Sequence, residues 1–115
     1  MNKYFIRSQR DRILKFLGKL DYEHPTCGHE TLCYMRSIVA AVKAFNSKKV
    51  NNLICLGSCL PDNTLTHCWN EIDGIRKDVN ISNEGLAHTN TIKSMEISPI
   101  WTREELQEKF LEFFD

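Results

Sequence analysis

The dipeptide Asp73-Gly74, set between two stretches of alternating apolar and polar residues, constrains the fold of this chain more than any other feature. Both central residues of a type I′ turn need a positive φ, which Asp and Gly tolerate, and such turns close two-residue β-hairpins. The turn pairs Ile72 with Ile75 and thereby fixes the register of both strands. The sequence therefore predicts a tight hairpin with two chemically different faces.

The two faces of the predicted hairpin follow from the two-residue period of β-strands. One face is mostly polar and comprises His67, Trp69, Glu71, Arg76, Asp78 and Asn80, while the other comprises Cys68, Ile72, Ile75 and Val79. In this register His67 lies opposite Asn80, and Trp69 lies opposite Asp78. A carboxylate or amide one cross-strand step from an imidazole can orient it as a catalytic base. The alternative is an ordinary hairpin whose polar face is solvated.

Length and charge narrow the range of functions. A chain of 115 residues suits one domain with a single modest core. Fifteen basic residues balance fifteen acidic ones, so no overall field favours nucleic acid or an anionic membrane. No stretch approaches the ~20 apolar residues of a membrane span, and residues 1–10 lack the apolar segment of a secretory signal. We therefore expect a single cytoplasmic domain, residues 1–115, without nucleic-acid or membrane partners.

The five cysteines, an odd number without a secretory signal, indicate a reducing compartment in which thiols stay free. Two sets of residues could be imagined around zinc: Cys27, His29 and Cys33, or Cys55, Cys59, His67 and Cys68. Neither set has the paired Cys-x-x-Cys spacing of structural zinc sites. The cysteines are therefore expected to be free thiols, and no metal or cofactor is predicted.

Two helices are predicted in the first half of the chain. Residues 8–20 have apolar side chains at helical spacing. The basic residues of this helix are expected to form a solvated face: Arg7, Arg10, Arg12, Lys15 and Lys19. Residues 30–46 contain neither Gly nor Pro and carry a stripe of large apolar residues beside a stripe of small ones. Such a helix is central to a fold, and its small side lets another backbone approach closely.

Cys33 lies near the start of this second helix, within its first turn if the helix begins at residue 30 or 31. The unpaired N–H groups and the positive end of the helix dipole stabilise a thiolate there and lower its pKa. The same N–H groups can bind an oxyanion. The alternative is that Cys33 is a small buried residue that serves close packing. Cys27, in the loop of residues 21–28, is a rival nucleophile without a helix to activate it.

A last helix is predicted after Pro99. Thr102 and Glu105 form a capping box, and Trp101 and Leu106 are placed as a hydrophobic staple. The helix is unusually apolar for a chain terminus. It either docks on the sheet, which we favour because a small domain needs the burial, or binds a protein partner.

Between the helices lie the predicted strands. Residues 50–57 form a strand candidate, residues 58–64 a turn-rich loop, and residues 86–97 one or two further strands beyond the hairpin. The predicted fold is therefore α+β. A central helix that carries Cys33 packs on an antiparallel sheet of three to five strands, with N- and C-terminal helices alongside.

Four features follow one another in an order that indicates a protein family. They are a cysteine at the start of a central helix, a strand, a His-x-Trp strand, and a hairpin return strand that carries Asp. These features are carried by Cys33-Tyr34-Met35-Arg36-Ser37 and by His67-Cys68-Trp69-Asn70-Glu71-Ile72-Asp73-Gly74 followed by Asp78. Over roughly residues 28–80 the chain resembles the transglutaminase-like branch of the papain-like cysteine hydrolases. Within that branch it resembles compact bacterial and phage members, such as the leader-peptide proteases of lasso-peptide biosynthesis.

The resemblance implies a triad in which Cys33 is the nucleophile, His67 the base and Asp78 the acid that orients His67. Asn80, which lies opposite His67 in the predicted register, is the less favoured alternative to Asp78. The thiolate would attack an amide or thioester carbonyl and form an acyl-enzyme. Water would then give peptidase or deamidase activity, and an amine would give transamidation, on a peptide or protein substrate that carries the amide. The alternative function is a non-catalytic protein-binding domain, an inhibitor or adaptor, with the apolar C-terminal helix at its interface.

Overall fold

The computed structural model describes residues 7–29, 32–59, 66–77 and 89–115, which form three helices and four strands. The helices are α1 (Arg7–Lys19), α2 (Cys33–Asn46) and α3 (Arg103–Phe113), and the strands are β1 (Asn52–Cys59), β2 (Thr66–Ile72), β3 (Ile75–Lys77) and β4 (Thr89–Ile97). The strands form one antiparallel sheet in the order β3-β2-β1-β4. The predicted α+β fold, with a central helix on an antiparallel sheet, is confirmed. Within the described ranges, none of the helices combines the length and the apolar composition that a membrane span requires.

The hairpin between β2 and β3 has the predicted register. Ile72 pairs with Ile75, and Glu71 pairs with Arg76. Asp73 has a φ of 56° and Gly74 a φ of 78°, as a type I′ turn requires. The predicted continuation of this pairing to Asp78 and Asn80 lies outside the described residues.

α2 lies on one face of the sheet, and two buried asparagines attach it there. Nδ2 of Asn52 donates to the carbonyl oxygen of Ala41 at 3.1 Å, and Nδ2 of Asn70 donates to the carbonyl oxygen of Ser37 at 2.9 Å. Because Ser37 and Ala41 are small, both strand side chains can reach the helix backbone. These contacts join strand side chains to the helix backbone, and the predicted close approach of another backbone stays a prediction.

The hydrophobic core lies between this face of the sheet and the helices. Its buried side chains are Ile13, Leu17, Tyr34, Ile38, Ala41, Val42, Phe45, Ile54, Leu56, Cys68, Ile97, Leu106, Phe110, Phe113 and Phe114. The last four belong to α3 or follow it directly. The apolar side of the C-terminal helix therefore docks on the core, as favoured from the sequence, and these side chains are not available to a partner.

Local signals explain where the elements begin. The capping box of α3 is present: Oγ1 of Thr102 accepts from the Glu105 amide, and Oε1 of Glu105 accepts from the Thr102 amide, both at 3.1 Å. α2 begins at Cys33 rather than near residue 30, because Leu32 has extended backbone angles. β1 begins at Asn52 rather than at residue 50, because Asn51 has a φ of 54° and breaks the extended chain.

Candidate functional site

The structure does not bring Cys33 and His67 together. Cys68 belongs to the core that α2 covers, and Asn70 bonds to α2, so these residues define the helix-facing side of β2. His67 alternates with them and faces the opposite side of the sheet. Cys33, the first residue of α2, packs against the core on the helix side. The backbone of the sheet therefore separates the predicted nucleophile from the predicted base.

His67 is part of an aromatic and cationic stack on the sheet face away from α2. It is buried, and its ring centroid lies 6.0 Å from that of Trp69, with 23° between the ring planes. The guanidinium carbon of Arg76 lies 4.2 Å from the Trp69 ring centroid, a cation–π contact. The predicted polar face of the hairpin therefore exists, but Trp69 and His67 are buried within it rather than solvated.

Cys55 is a thiol on the same face as His67, and no catalytic role is predicted for it from the sequence. Its Sγ donates to Oε2 of Glu71 at 3.9 Å. Burial and the negative charge of Glu71 raise the pKa of Cys55 to about 11. Because the thiolate is the reactive form, a thiol that stays protonated at neutral pH is a poor nucleophile.

Cys33 is half-buried at the start of α2. Burial raises the pKa of the adjacent Tyr34, and the negative charge of Cys33 and Cys68 in their thiolate forms raises it further, so the three groups lie close together. The N-cap residue, Leu32, has an apolar side chain, which cannot accept a hydrogen bond from the first turn of the helix. The proposed orienting residues Asp78 and Asn80 both lie outside the described part of the chain.

A groove opens between α2 and the β2–β3 hairpin, and we call it the α2–β2 groove. It is lined by Cys27, Arg36, Ser37, Val39, Ala40, Lys43, Cys68, Trp69, Asn70 and Lys77. Its lining is mostly apolar and its volume is about 310 Å³. That volume lies at the lower end of the range of about 300–1,000 Å³ typical of small-molecule sites.

The groove exists because of the side chains that α2 presents beside the hairpin. Arg36, Ala40 and Lys43 follow one another at four- and three-residue spacing, so they share one helix face. Ala40 leaves space between the two long basic side chains, while the bond from Asn70 to Ser37 holds the strand at a fixed distance from the helix. Sequence reasoning recognised the small-residue stripe but missed the groove. The alanine between two cations on one helix face is visible in the sequence, but the groove also depends on how far α2 lies from β2.

The charged side chains of the groove are all basic. Among the described residues, no acidic side chain lines it, and Arg36, Lys43 and Lys77 form no ion pair. Nε of Arg36 is buried and has no hydrogen-bond acceptor within the described part of the chain. The groove therefore combines an apolar lining with three cations that lack counter-charges from the described residues.

No group of three His, Cys, Asp or Glu side chains within the described ranges is arranged to hold a metal ion. Comparisons with family models, with curated proteins and with solved structures found no match for this chain.

Proposed function

We propose that the chain is a binding domain whose α2–β2 groove holds a small amphipathic anion, with an apolar body and a carboxylate head. The observation that carries this proposal is the position of Arg36, Lys43 and Lys77 around an apolar groove without acidic neighbours among the described residues. The alternative predicted from the sequence was a protein-binding domain that uses the C-terminal helix, whereas this proposal is for small-molecule binding beside α2.

The apolar lining suits the body of such a ligand. Val39, Ala40 and Cys68 line the groove with aliphatic carbons and a thiol. Contact between these groups and an apolar ligand removes apolar surface from water, which favours binding. Each methylene that leaves water contributes about 0.8 kcal/mol. A chain of several methylenes can therefore supply useful affinity in a groove of this size.

The basic side chains suit the head. The guanidinium of Arg36 matches the two oxygens of a carboxylate, because its N–H donors form a planar fork. Nε of Arg36 donates no hydrogen bond to any described residue. Nε itself is shielded from solvent, so a ligand carboxylate in the groove would meet the terminal N–H groups of Arg36, and Lys43 and Lys77 would add to its attraction.

The test is titration with decanoate and, as a neutral match of equal chain length, with decanol, followed by NMR of the backbone amides. We expect decanoate to bind more tightly than decanol and to shift amides of α2 and β2. The double variant Arg36→Gln, Lys77→Gln should weaken decanoate binding at least ~10-fold, because a hydrogen bond to a charged group is worth about 1.5–3 kcal/mol. Binding of decanol equal to that of decanoate would contradict the proposal.

A second variant tests the location of the site. Ala40→Leu fills the groove at a half-buried helix position, and leucine is a good helix former. We expect it to abolish decanoate binding. The matched control, Glu108→Leu, adds the same side chain at an exposed position on α3 and should leave binding unchanged. Unchanged affinity in Ala40→Leu would show that decanoate binds elsewhere.

The second candidate function is the cysteine hydrolase or acyl transferase that the resemblance implies. The observation that favours it is the place of Cys33 as first residue of α2, where the helix dipole and unpaired N–H groups stabilise a thiolate. Since His67 lies across the sheet, this candidate needs a base other than His67, or a pre-formed thiolate. It differs from the binding proposal in requiring unusual reactivity at Cys33.

A further inference from the structure

We propose that α1 carries a second and independent docking site, for an acidic protein segment that inserts one apolar side chain. The site is a concave pocket with a volume of about 300 Å³, which we call the α1 pocket. It is lined by Arg12, Lys15, Phe16, Lys19 and Met35. It shares no lining residue with the α2–β2 groove. The basic face that the sequence suggested to be merely solvated therefore encloses an apolar recess.

The three cations of the α1 pocket are exposed and available. Arg12, Lys15 and Lys19 follow the helix at three- and four-residue spacing, so they lie along one face. None of them forms an ion pair with a described residue. Arg10 is different, because its guanidinium lies 2.6 Å from a carboxylate oxygen of Asp115. The pocket thus has positive charge that the described chain leaves without counter-charge.

The floor of the α1 pocket is apolar. Met35 of α2 is 3% exposed, and Phe16 is half-buried and packs against the core. The methylene stems of Lys15 and Lys19 can extend this apolar surface while their ammonium groups stay in water. A partner that carries only charge would leave the floor uncovered, whereas one apolar side chain between acidic residues would cover it.

An acidic protein segment fits these features better than a nucleic acid does. Arg12 and Lys19 are seven residues apart, which corresponds to about 10 Å along the helix. Nucleic-acid binding at useful affinity commonly rests on more phosphate contacts than three cations can make. Phe16 is packed against the core rather than displayed as a platform on which a base could stack. The recess instead suits an aliphatic anchor with carboxylates on both sides.

The test uses a blocked heptapeptide of six glutamates around one central leucine, a matched peptide with serine in place of leucine, and a twelve-nucleotide oligouridine. NMR titration should show saturable binding of the leucine peptide, with shifts at α1 and Met35. The serine peptide should bind at least ~3-fold more weakly, because it loses the burial of one apolar side chain. Binding to the unmodified chain should also weaken when NaCl rises from about 50 to 300 mM.

The decisive variant is Arg12→Gln, Lys15→Gln, Lys19→Gln, which keeps good helix formers at three exposed positions. We expect ~10-fold weaker peptide binding, and decanoate binding at the α2–β2 groove should not change. The control removes the same charge elsewhere, with Lys48→Gln, Lys49→Gln and Arg103→Gln, and should bind the peptide as the unmodified chain does. The proposal is overturned if the two triple variants bind equally, if the peptide shows no saturable binding, or if the oligouridine binds more tightly than the peptide.

Discussion

Cys55 illustrates how neighbours decide what a thiol can do. Its side chain is 2% exposed, and its Sγ donates to the carboxylate of Glu71. Burial disfavours the thiolate because it loses hydration, and the nearby negative charge disfavours it further. The resulting pKa of about 11 makes Cys55 a structural thiol on the side of the sheet that also holds His67.

This pKa predicts a stability change at alkaline pH. The pKa of an ordinary thiol is 9.0, and that of Cys55 in the folded chain is about 11. This difference contributes to the free energy of unfolding below pH 9, and the contribution is lost as the pH rises to about 11. The unfolded chain releases the proton first, so the free energy of unfolding should fall by roughly 2 kcal/mol over this interval. Urea unfolding under reducing conditions at several pH values measures it.

Cys55→Ala is the variant that assigns this alkaline loss to one residue. The variant should have a flatter profile between pH 9 and 11, whatever its stability at neutral pH. Cys27→Ala, which removes a half-buried loop thiol, serves as the control and should keep the slope of the unmodified chain. Equal slopes in Cys55→Ala and the unmodified chain would contradict the role assigned to Cys55.

At the scale of elements, β1 depends on the absence of a side chain at Gly57. The register between β1 and β4 shifts between Leu56 and Gly57, as in a β-bulge. A Cβ at Gly57 would lie 2.3 Å from the carbonyl oxygen of Asn90 and 2.6 Å from Cη2 of Trp69. The indole and the β4 backbone thus occupy the space that any other residue would need.

Gly57→Ala is therefore expected to lower the free energy of unfolding by about 3 kcal/mol, the upper part of the usual range for overpacking. The backbone of β4 cannot move aside as cheaply as the end of a flexible side chain. Gly18→Ala is the matched control, because nothing lies within 4 Å of its Cβ position on α1. That change should instead raise stability by about 0.5–1 kcal/mol. Similar thermal unfolding of Gly57→Ala and the unmodified chain would refute the close contact.

At the scale of the whole molecule, local signals predicted the elements but not which face of the hairpin meets the helix. Asp73 and Gly74 fixed the register through their positive φ angles, and the Thr102 capping box fixed the start of α3. The two-residue period also separated Cys68 from His67 correctly. The resemblance, however, implied that His67 faces Cys33. In the structure the face of the hairpin that carries Cys68 packs on the central helix, and His67 lies on the other face.

The α2–β2 groove was beyond prediction because it depends on a distance between elements. The sequence shows the basic and small residues of α2, but not how far that helix lies from β2. That separation results from the fit of large core side chains and from the bond between Asn70 and the backbone of Ser37. The distance between two packed elements depends on how their side chains interdigitate, and the sequence alone does not specify that fit.

The most direct test of the binding site is the alkylation rate of each cysteine by iodoacetamide near pH 7, resolved by mass spectrometry, with and without saturating decanoate. Cys27 lines the α2–β2 groove and serves as its reporter. We predict that decanoate slows alkylation of Cys27 at least ~5-fold, while Cys33 reacts no faster than an ordinary thiol. An unprotected Cys27 together with a uniquely fast Cys33 would contradict the binding account and favour the cysteine hydrolase.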